Sequence, residues 1–202
     1  GLMLQEEYDQ EWFLSPDAAI RGAWFTKELG AATRDGRITA VPYEPMLPVH
    51  TSWDLGIGQS TAIWFWQVVG SEIRVIDHYE NNNHGLPHYA QVIGSKGIVL
   101  GEGRTGRDYV PHDAKVRELG TGRTRVETLS GLGCEPMLVP DHKLMDGINA
   151  ARLTIPRCWF DKQRCAEGLE ALRQYRADFD EKLKAFRDKP RHDWTSHSAD
   201  AF

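Results

Sequence analysis

The sequence holds no apolar run near the ~18 residues needed to cross a bilayer, and no charged-then-apolar opening of a secretory signal. No membrane partner is expected. Cysteine is scarce: Cys134, Cys158 and Cys165 are odd in number and lack metal-ligand spacing. That argues against a disulfide framework and for reduced thiols in a cytosol-like compartment. Phosphate-loop (G-x-x-x-x-G-K-[ST]) and H-E-x-x-H motifs are absent, as are internal repeats and low-complexity tracts. "GEGRTG" at 101–106 matches G-x-G-x-x-G by letter. Its last glycine leads into "RDYVPHD", where Pro111 opposes the helix that would receive a pyrophosphate, so it reads as a flexible turn. His84 and His88 have i, i+4 spacing, but Gly85 and Pro87 spoil the helix that would aim both at one metal.

What is present suits one folded domain. With 202 residues, 41% hydrophobic and 26% charged, the chain can bury a substantial core and is not of disordered composition. The net charge of −5 disfavours a polyanionic partner on average, yet the average hides a pattern. Residues 1–103 carry 6 Lys/Arg against 13 Asp/Glu, whereas residues 104–125 carry 6 against 3 and residues 152–191 carry 11 against 7. A polyanion would be held by those two regions; the second equally reads as a solvated helix face.

Residues 1–47 read as an arm. "SPDAAIRGAWFTKEL" opens with a helix-start signal, "RDGRI" supplies a turn, and Pro42, Pro45 and Pro48 make a stiff boundary. Three strands follow. Val49, Thr51, Trp53 and Leu55 alternate with His50, Ser52, Asp54 and Gly56, which puts Asp54 on the more polar face. "TAIWFWQVV" is apolar on both faces, and "EIRVIDHYE" follows a Gly-Ser turn, giving an antiparallel meander. "GLPHYAQVIG" reads as a helix, "RDYVPHD" as a fourth strand, "RVETLSGLG" as a helix and "CEPMLVP" as a fifth strand. Helical spacing predicts one helix over 143–155 and another over 161–187, the latter with Cys165, Leu169, Leu172 and Phe179 on one stripe. "SHSADAF" starts a last helix, with Ser196 or Ser198 as its cap. The order predicts an α/β fold, a mixed sheet flanked by helices.

Three carboxylates share one setting. Asp54 lies in the first strand, Asp113 just past the fourth, and Asp200 in the first turns of the last helix. None has a Lys or Arg immediately before it. Converging carboxylates raise one another's pKa and are stable together only around a cation; hard oxygen ligands suit Mg²⁺ or Mn²⁺. Two ions ~3.5–4 Å apart activate a water on one side of a phosphorus and stabilise the leaving oxygen on the other. Taken singly, Asp54 also reads as a satisfied buried acid, Asp113 as a helix cap, and Asp200 as an acid set against a helix dipole. Lys115, Arg117, Arg123 and Arg125 surround a glycine-containing loop just after Asp113, placed to reach a phosphate backbone. His112 and His197 sit beside proposed ligands, where an imidazole orients a carboxylate or a water.

"HTSWDLGIGQSTAIWFWQ", "YVPHDAKVRELGTGRTRVETLSGLG" and "HDWTSHSADAF" resemble, in that order and spacing, the nuclease domain of the large terminase subunit of tailed bacteriophages. Upstream, "QEWFLSPDAAIRGAWFTKEL" resembles the segment that links that family's ATPase motor to its nuclease. W-D-L-G, P-H-D and S-H-x-A-D-A carry the likeness; the helices between 143 and 191 are generic. The resemblance implies an RNase H-like, resolvase-like fold, with three antiparallel strands and then parallel ones, over residues 48–202. It implies a two-metal endonuclease acting on concatemeric viral DNA in the host-cell cytoplasm, with the acidic triad at Asp54, Asp113 and Asp200. Double-stranded DNA, the portal and the small terminase subunit are the implied partners. It further implies that residues 1–47 join a motor domain not present here and that the last helix continues beyond Phe202. Three rivals stay open: a resolvase- or transposase-like nuclease of the same fold, a non-catalytic docking module, and, from "DLGIGQSTA", the phosphate hairpin of the actin and sugar-kinase superfamily. The last needs a second such hairpin, and none is found.

Overall fold

The computed structural model describes residues 20–56, 60–98 and 106–202. In chain order its elements begin with α1 (Thr26–Arg34), β1 (Ile38–Thr39), β2 (His50–Leu55), β3 (Ser60–Val69) and β4 (Glu72–Asn82). Then come α2 (Leu86–Ser95), β5 (Asp108–Val110), a 3-10 turn (His112–Lys115), α3 (Arg125–Gly131), β6 (Pro136–Leu138) and α4 (Leu144–Thr154). β7 (Cys158–Asp161), α5 (Ala166–Gln174), β8 (Ala177–Asp180), β9 (Ala185–Pro190) and α6 (Ser196–Ala201) complete the chain.

Seven strands form one sheet in the order β1-β7-β4-β3-β2-β5-β6. β2, β3 and β4 are the antiparallel meander that the alternating pattern predicts. The connection from β3 to β4 turns on Gly70, whose φ of 61° suits a residue without a Cβ. β5 then runs parallel to β2, β6 to β5, β7 to β4 and β1 to β7. This is the expected RNase H-like arrangement, antiparallel first and parallel afterwards.

Strand periodicity sorts the side chains into two layers. Trp53, Ile63 and Phe65 meet Tyr89 and Ile93 of α2 and Leu129 of α3 on one face. Trp64, Val75 and Phe160 meet Phe25 and Leu29 of the first helical segment, Ile148 of α4, Leu169 and Leu172 of α5, and Ala201 of α6 on the other. Each fully buried large side chain contributes roughly 1.5–3 kcal/mol, so the register of the sheet strands is held chiefly by the core. The described part of the arm joins this core: Phe25, Leu29 and Ala32 are buried, and β1 lengthens the sheet.

Where β5 closes on β2, Thr51 N donates to Arg107 O at 2.9 Å. A Cβ on Gly106 would lie 1.8 Å from the Val49 carbonyl oxygen, so the last glycine of "GEGRTG" serves a close backbone approach. Residues 101–105 of that motif lie outside the described residues.

The helix expected over 161–187 is a correction. α5 ends at Gln174, and residues 177–190 form the β8–β9 hairpin instead. Cys165, Leu169 and Leu172 are buried as the stripe requires, but Phe179 packs edge-on against Phe186 across the hairpin at 5.1 Å. Asp180 accepts from the backbone N–H groups of Lys182 and Leu183, and Arg187 binds both Asp178 and Asp180. These side-chain-to-backbone bonds offer the chain a turn that competes with continued helix. Upstream, "CWFD" is β7, a strand absent from the sequence reading because it is short and buried on nearly every side.

Candidate active site

β2 delivers Asp54, and α6 delivers His197, Ser198 and Asp200. A helix of 6 residues does not hold itself, so tertiary contacts must place it. Asp193 Oδ1 accepts from Thr195 N and Oγ1 at 3.0 and 2.7 Å, shaping the approach to α6. Trp64 Nε1 donates to the Ser198 carbonyl at 2.7 Å, and Phe202 packs against Trp64 and Phe160. Neither Ser196 nor Ser198 caps the helix: the residue ahead of it is Thr195, with no side-chain cap bond.

Thus held, His197 Nδ1 donates to Asp54 Oδ2 at 2.7 Å, joining the first and last of the sequence-predicted segments. Tyr175 OH donates to Asp200 Oδ1 at 3.2 Å. Burial raises the Asp54 carboxyl above the usual carboxylate range, and the charges of Asp113 and Glu80 add to the rise while His197 opposes it. Burial likewise raises Asp200, with the Asp54 charge adding and the Tyr175 hydroxyl opposing. Tyr175 is itself pushed upward by burial and by the Asp200 charge. Among the described residues no Lys or Arg pairs with Asp54 or Asp200, leaving a half-buried Asp54 and an exposed Asp200 short of positive charge.

Asp113, on the 3-10 turn after β5, lies within electrostatic reach of Asp54 but is turned to Arg125, whose Nη1 is 3.6 Å from its Oδ2. Among the described residues no three His, Cys, Asp or Glu side chains are gathered as a ready metal cage. Asp200 and Asp113 are thus each within electrostatic reach of Asp54, Asp200 bonded to Tyr175 and Asp113 leaning on Arg125. Arg125 is 10% exposed, near both Asp113 and Glu118, and offers little surface to a phosphate. Lys115, Arg117 and Arg123 are exposed around a loop closed by Glu118 N donating to Arg123 O and by Arg117 Nη1 donating to Gly122 O. His112 faces Asp141 at 3.9 Å and not Asp113.

Sequence reasoning missed Tyr175, Glu80, Ser198 and His78. Ser198 Oγ donates to Glu80 Oε2 at 2.6 Å and lies 2.8 Å from His78 Nε2. Burial, with the Lys96 charge adding, lowers His78 to about 4, so its ring is neutral near pH 7 and donates through Nε2. In the sheet Asp54 pairs with Ala62, and Ala62 with Glu80, so both acids share one face and one row. The available signal was parity: the strand "EIRVIDHYE" carries His78 and Glu80 two apart. A cavity of about 650 Å³ beside Asp200 is walled chiefly by Trp64, Trp66, Tyr109, Ile148 and Phe202. Its apolar walls do not suit a phosphate backbone, so the carboxylate side, not the cavity, is the candidate reaction centre.

No family model matches the chain, and no curated protein matches its sequence. Solved structures do. The large terminase of thermophilic bacteriophage D6E aligns with a TM-score of 0.63 at 16% identity over 83% of this chain. The chain spans 41% of that protein's length. The P22 large terminase nuclease domain aligns at 0.55 and 17%, covering 82% of this chain and 84% of that one. The large terminase nuclease domain of bacteriophage SPP1, solved with bound Mn, aligns at 0.53 and 13%, covering 80% and 95%. What this likeness establishes is architecture: the chain has the RNase H-like fold of large-terminase nuclease domains.

Proposed function

We propose that this chain is a metal-dependent endodeoxyribonuclease that hydrolyses phosphodiester bonds of double-stranded DNA with two divalent ions, Mg²⁺ or Mn²⁺, and cuts concatemeric viral DNA during genome packaging. One observation carries the reading: Asp54 and Asp200, from opposite ends of the domain, come within electrostatic reach of each other without a Lys or Arg partner among the described residues. The fold shared with terminase nuclease domains, one of them solved with bound Mn, supports it.

The donor set suits hard divalent cations, all oxygen and net negative. Asp54 and Asp200 would hold them. Asp113, 53% exposed and within electrostatic reach of Asp54, would complete the set. Bound ions would supply the positive charge that acidifies a water and stabilises the leaving oxygen. The chain's own residues supply placement. His197 fixes the Asp54 carboxylate, and Tyr175 fixes Asp200. Lys115, Arg117 and Arg123 grip phosphates in a sequence-tolerant, salt-sensitive way. Residues 1–47 connect this domain to an ATPase motor in the longer protein, with the portal and small terminase subunit as partners and the host-cell cytoplasm as the place of action.

The test is plasmid cleavage in Mg²⁺ and Mn²⁺ by the parent chain and by Asp54→Asn, Asp113→Asn and Asp200→Asn. Loss of an ion's charge stabilisation, several kcal/mol, predicts a rate drop of at least ~100-fold in each. Normal cutting by Asp54→Asn removes the acids from the mechanism. Branched DNA cut in preference to linear DNA moves the reading to a resolvase.

A further inference from the structure

The site depends on a helix too short to hold its own register, yet α6 must present His197 and Asp200 together. One slip along it, a rise of ~1.5 Å and a rotation of ~100°, carries both away from Asp54. Resting on the function proposed above and deepening it, we propose that Glu80 is a positioning residue for this site: through its hydrogen bond to Ser198 it sets the register of α6 over the sheet, and so the placement of His197 and Asp200.

Ser198 is 0% exposed, and both roles of its hydroxyl are taken. It gives its one proton to Glu80 Oε2 at 2.6 Å and receives the His78 Nε2 proton at 2.8 Å. Its carbonyl is held separately by Trp64 Nε1 at 2.7 Å. Three sheet side chains thus converge on one residue of α6, and the residues that act lie on either side of it. The far end of the chain is equally constrained: the His78 ring lies 4.5 Å from that of Trp64, and both face Gly168 of α5. Glu80 shares a sheet row with Asp54, with Ala62 between them, and α6 packs on the strand that carries Ala62. The bond Glu80 accepts therefore runs to the helix itself. The bond is part-buried, and a side-chain hydrogen bond shielded from water specifies one arrangement of the groups it joins.

The experiment compares Glu80→Ala, Ser198→Ala and Glu80→Gln with the parent chain. The readouts are amide hydrogen exchange over residues 195–202 without metal, and Mn²⁺ affinity by calorimetry. Glu80→Ala and Ser198→Ala are expected to speed exchange in α6 and to weaken Mn²⁺ binding by about 10-fold or more, as loss of a group that orients ligands does. Glu80→Gln keeps an oxygen that accepts from Ser198 and should stay within about 3-fold of the parent in both readouts. Unchanged exchange in Glu80→Ala overturns the proposal. So does damage in Glu80→Gln equal to that in Glu80→Ala, since the charge and not the bond would then be what acts. If the parent binds no Mn²⁺ the proposed function fails, while the exchange comparison still decides this inference.

Discussion

Replacing Gly168 with alanine sets two tendencies of known size against each other. Gly168 lies in α5, where alanine is favoured over glycine by ~1 kcal/mol on helix propensity alone. Packing points the other way. A Cβ at 168 would stand 2.4 Å from Trp64 Cη2, 2.6 Å from Trp64 Cζ2 and 2.7 Å from His78 Cδ2. Carbon atoms rest ~3.5–4.0 Å apart, so a ring or the helix must shift by roughly 1 Å. Trp64 and His78 are 1% and 7% exposed, and each is tied by a hydrogen bond to Ser198, so neither swings into solvent. Overpacking of this kind costs ~1–3 kcal/mol. With both rings trapped the upper half applies, and after the propensity gain a net loss of about 1–2 kcal/mol remains. For a domain of this size that lowers the melting temperature by roughly 2–8 °C. Thermal melts followed by circular dichroism check the sign, and hydrogen exchange over residues 195–202 should rise because Trp64 and His78 hold α6. A Gly168→Ala chain that melts at or above the parent would refute the packing argument outright.

Three further outcomes follow from the site's electrostatics. Burial raises the Asp200 carboxyl in the folded chain, so between its unfolded value (~3.9 for a free Asp) and its raised folded value the native state binds more protons than the unfolded state. Stability is then present below that window and lost as pH rises through it; in metal-free buffer Asp200→Asn should flatten the fall in melting temperature from about pH 4 upward, and equal slopes would count against it. On the DNA side, Lys115→Ala and Arg123→Ala should each weaken binding alike across sequences and lower the salt slope by about 1, read by fluorescence anisotropy. Arg125→Ala should leave that slope alone and lower the melting temperature, because its guanidinium faces Asp113 and Glu118 and not solvent.

The meander was legible because alternation in β2 and the apolar run of β3 are local patterns, and Gly70 marks the turn between β3 and β4. Asp54, Asp113 and Asp200 stood out because each is an acid with no Lys or Arg immediately before it, in a segment whose backbone the pattern holds rigid. The stripe of Cys165, Leu169 and Leu172 is a true helical face, and Phe179 extended it by coincidence of spacing. Nothing in the spacing distinguishes that residue from a fourth member of the stripe, because the bonds that turn the hairpin belong to Asp178, Asp180 and Arg187 together.

Residue type and periodicity, both local properties, determined that this chain builds a mixed sheet with helices on its faces and presents acids from three separate segments. Only the folded arrangement decided that His197 meets Asp54, that Asp113 leans on Arg125, and that Glu80 and His78 converge on Ser198. These are contacts between distant parts of the chain, made when the two core layers close on the sheet, and local pattern carries no information about which side chains that closure brings within ~3 Å of one another.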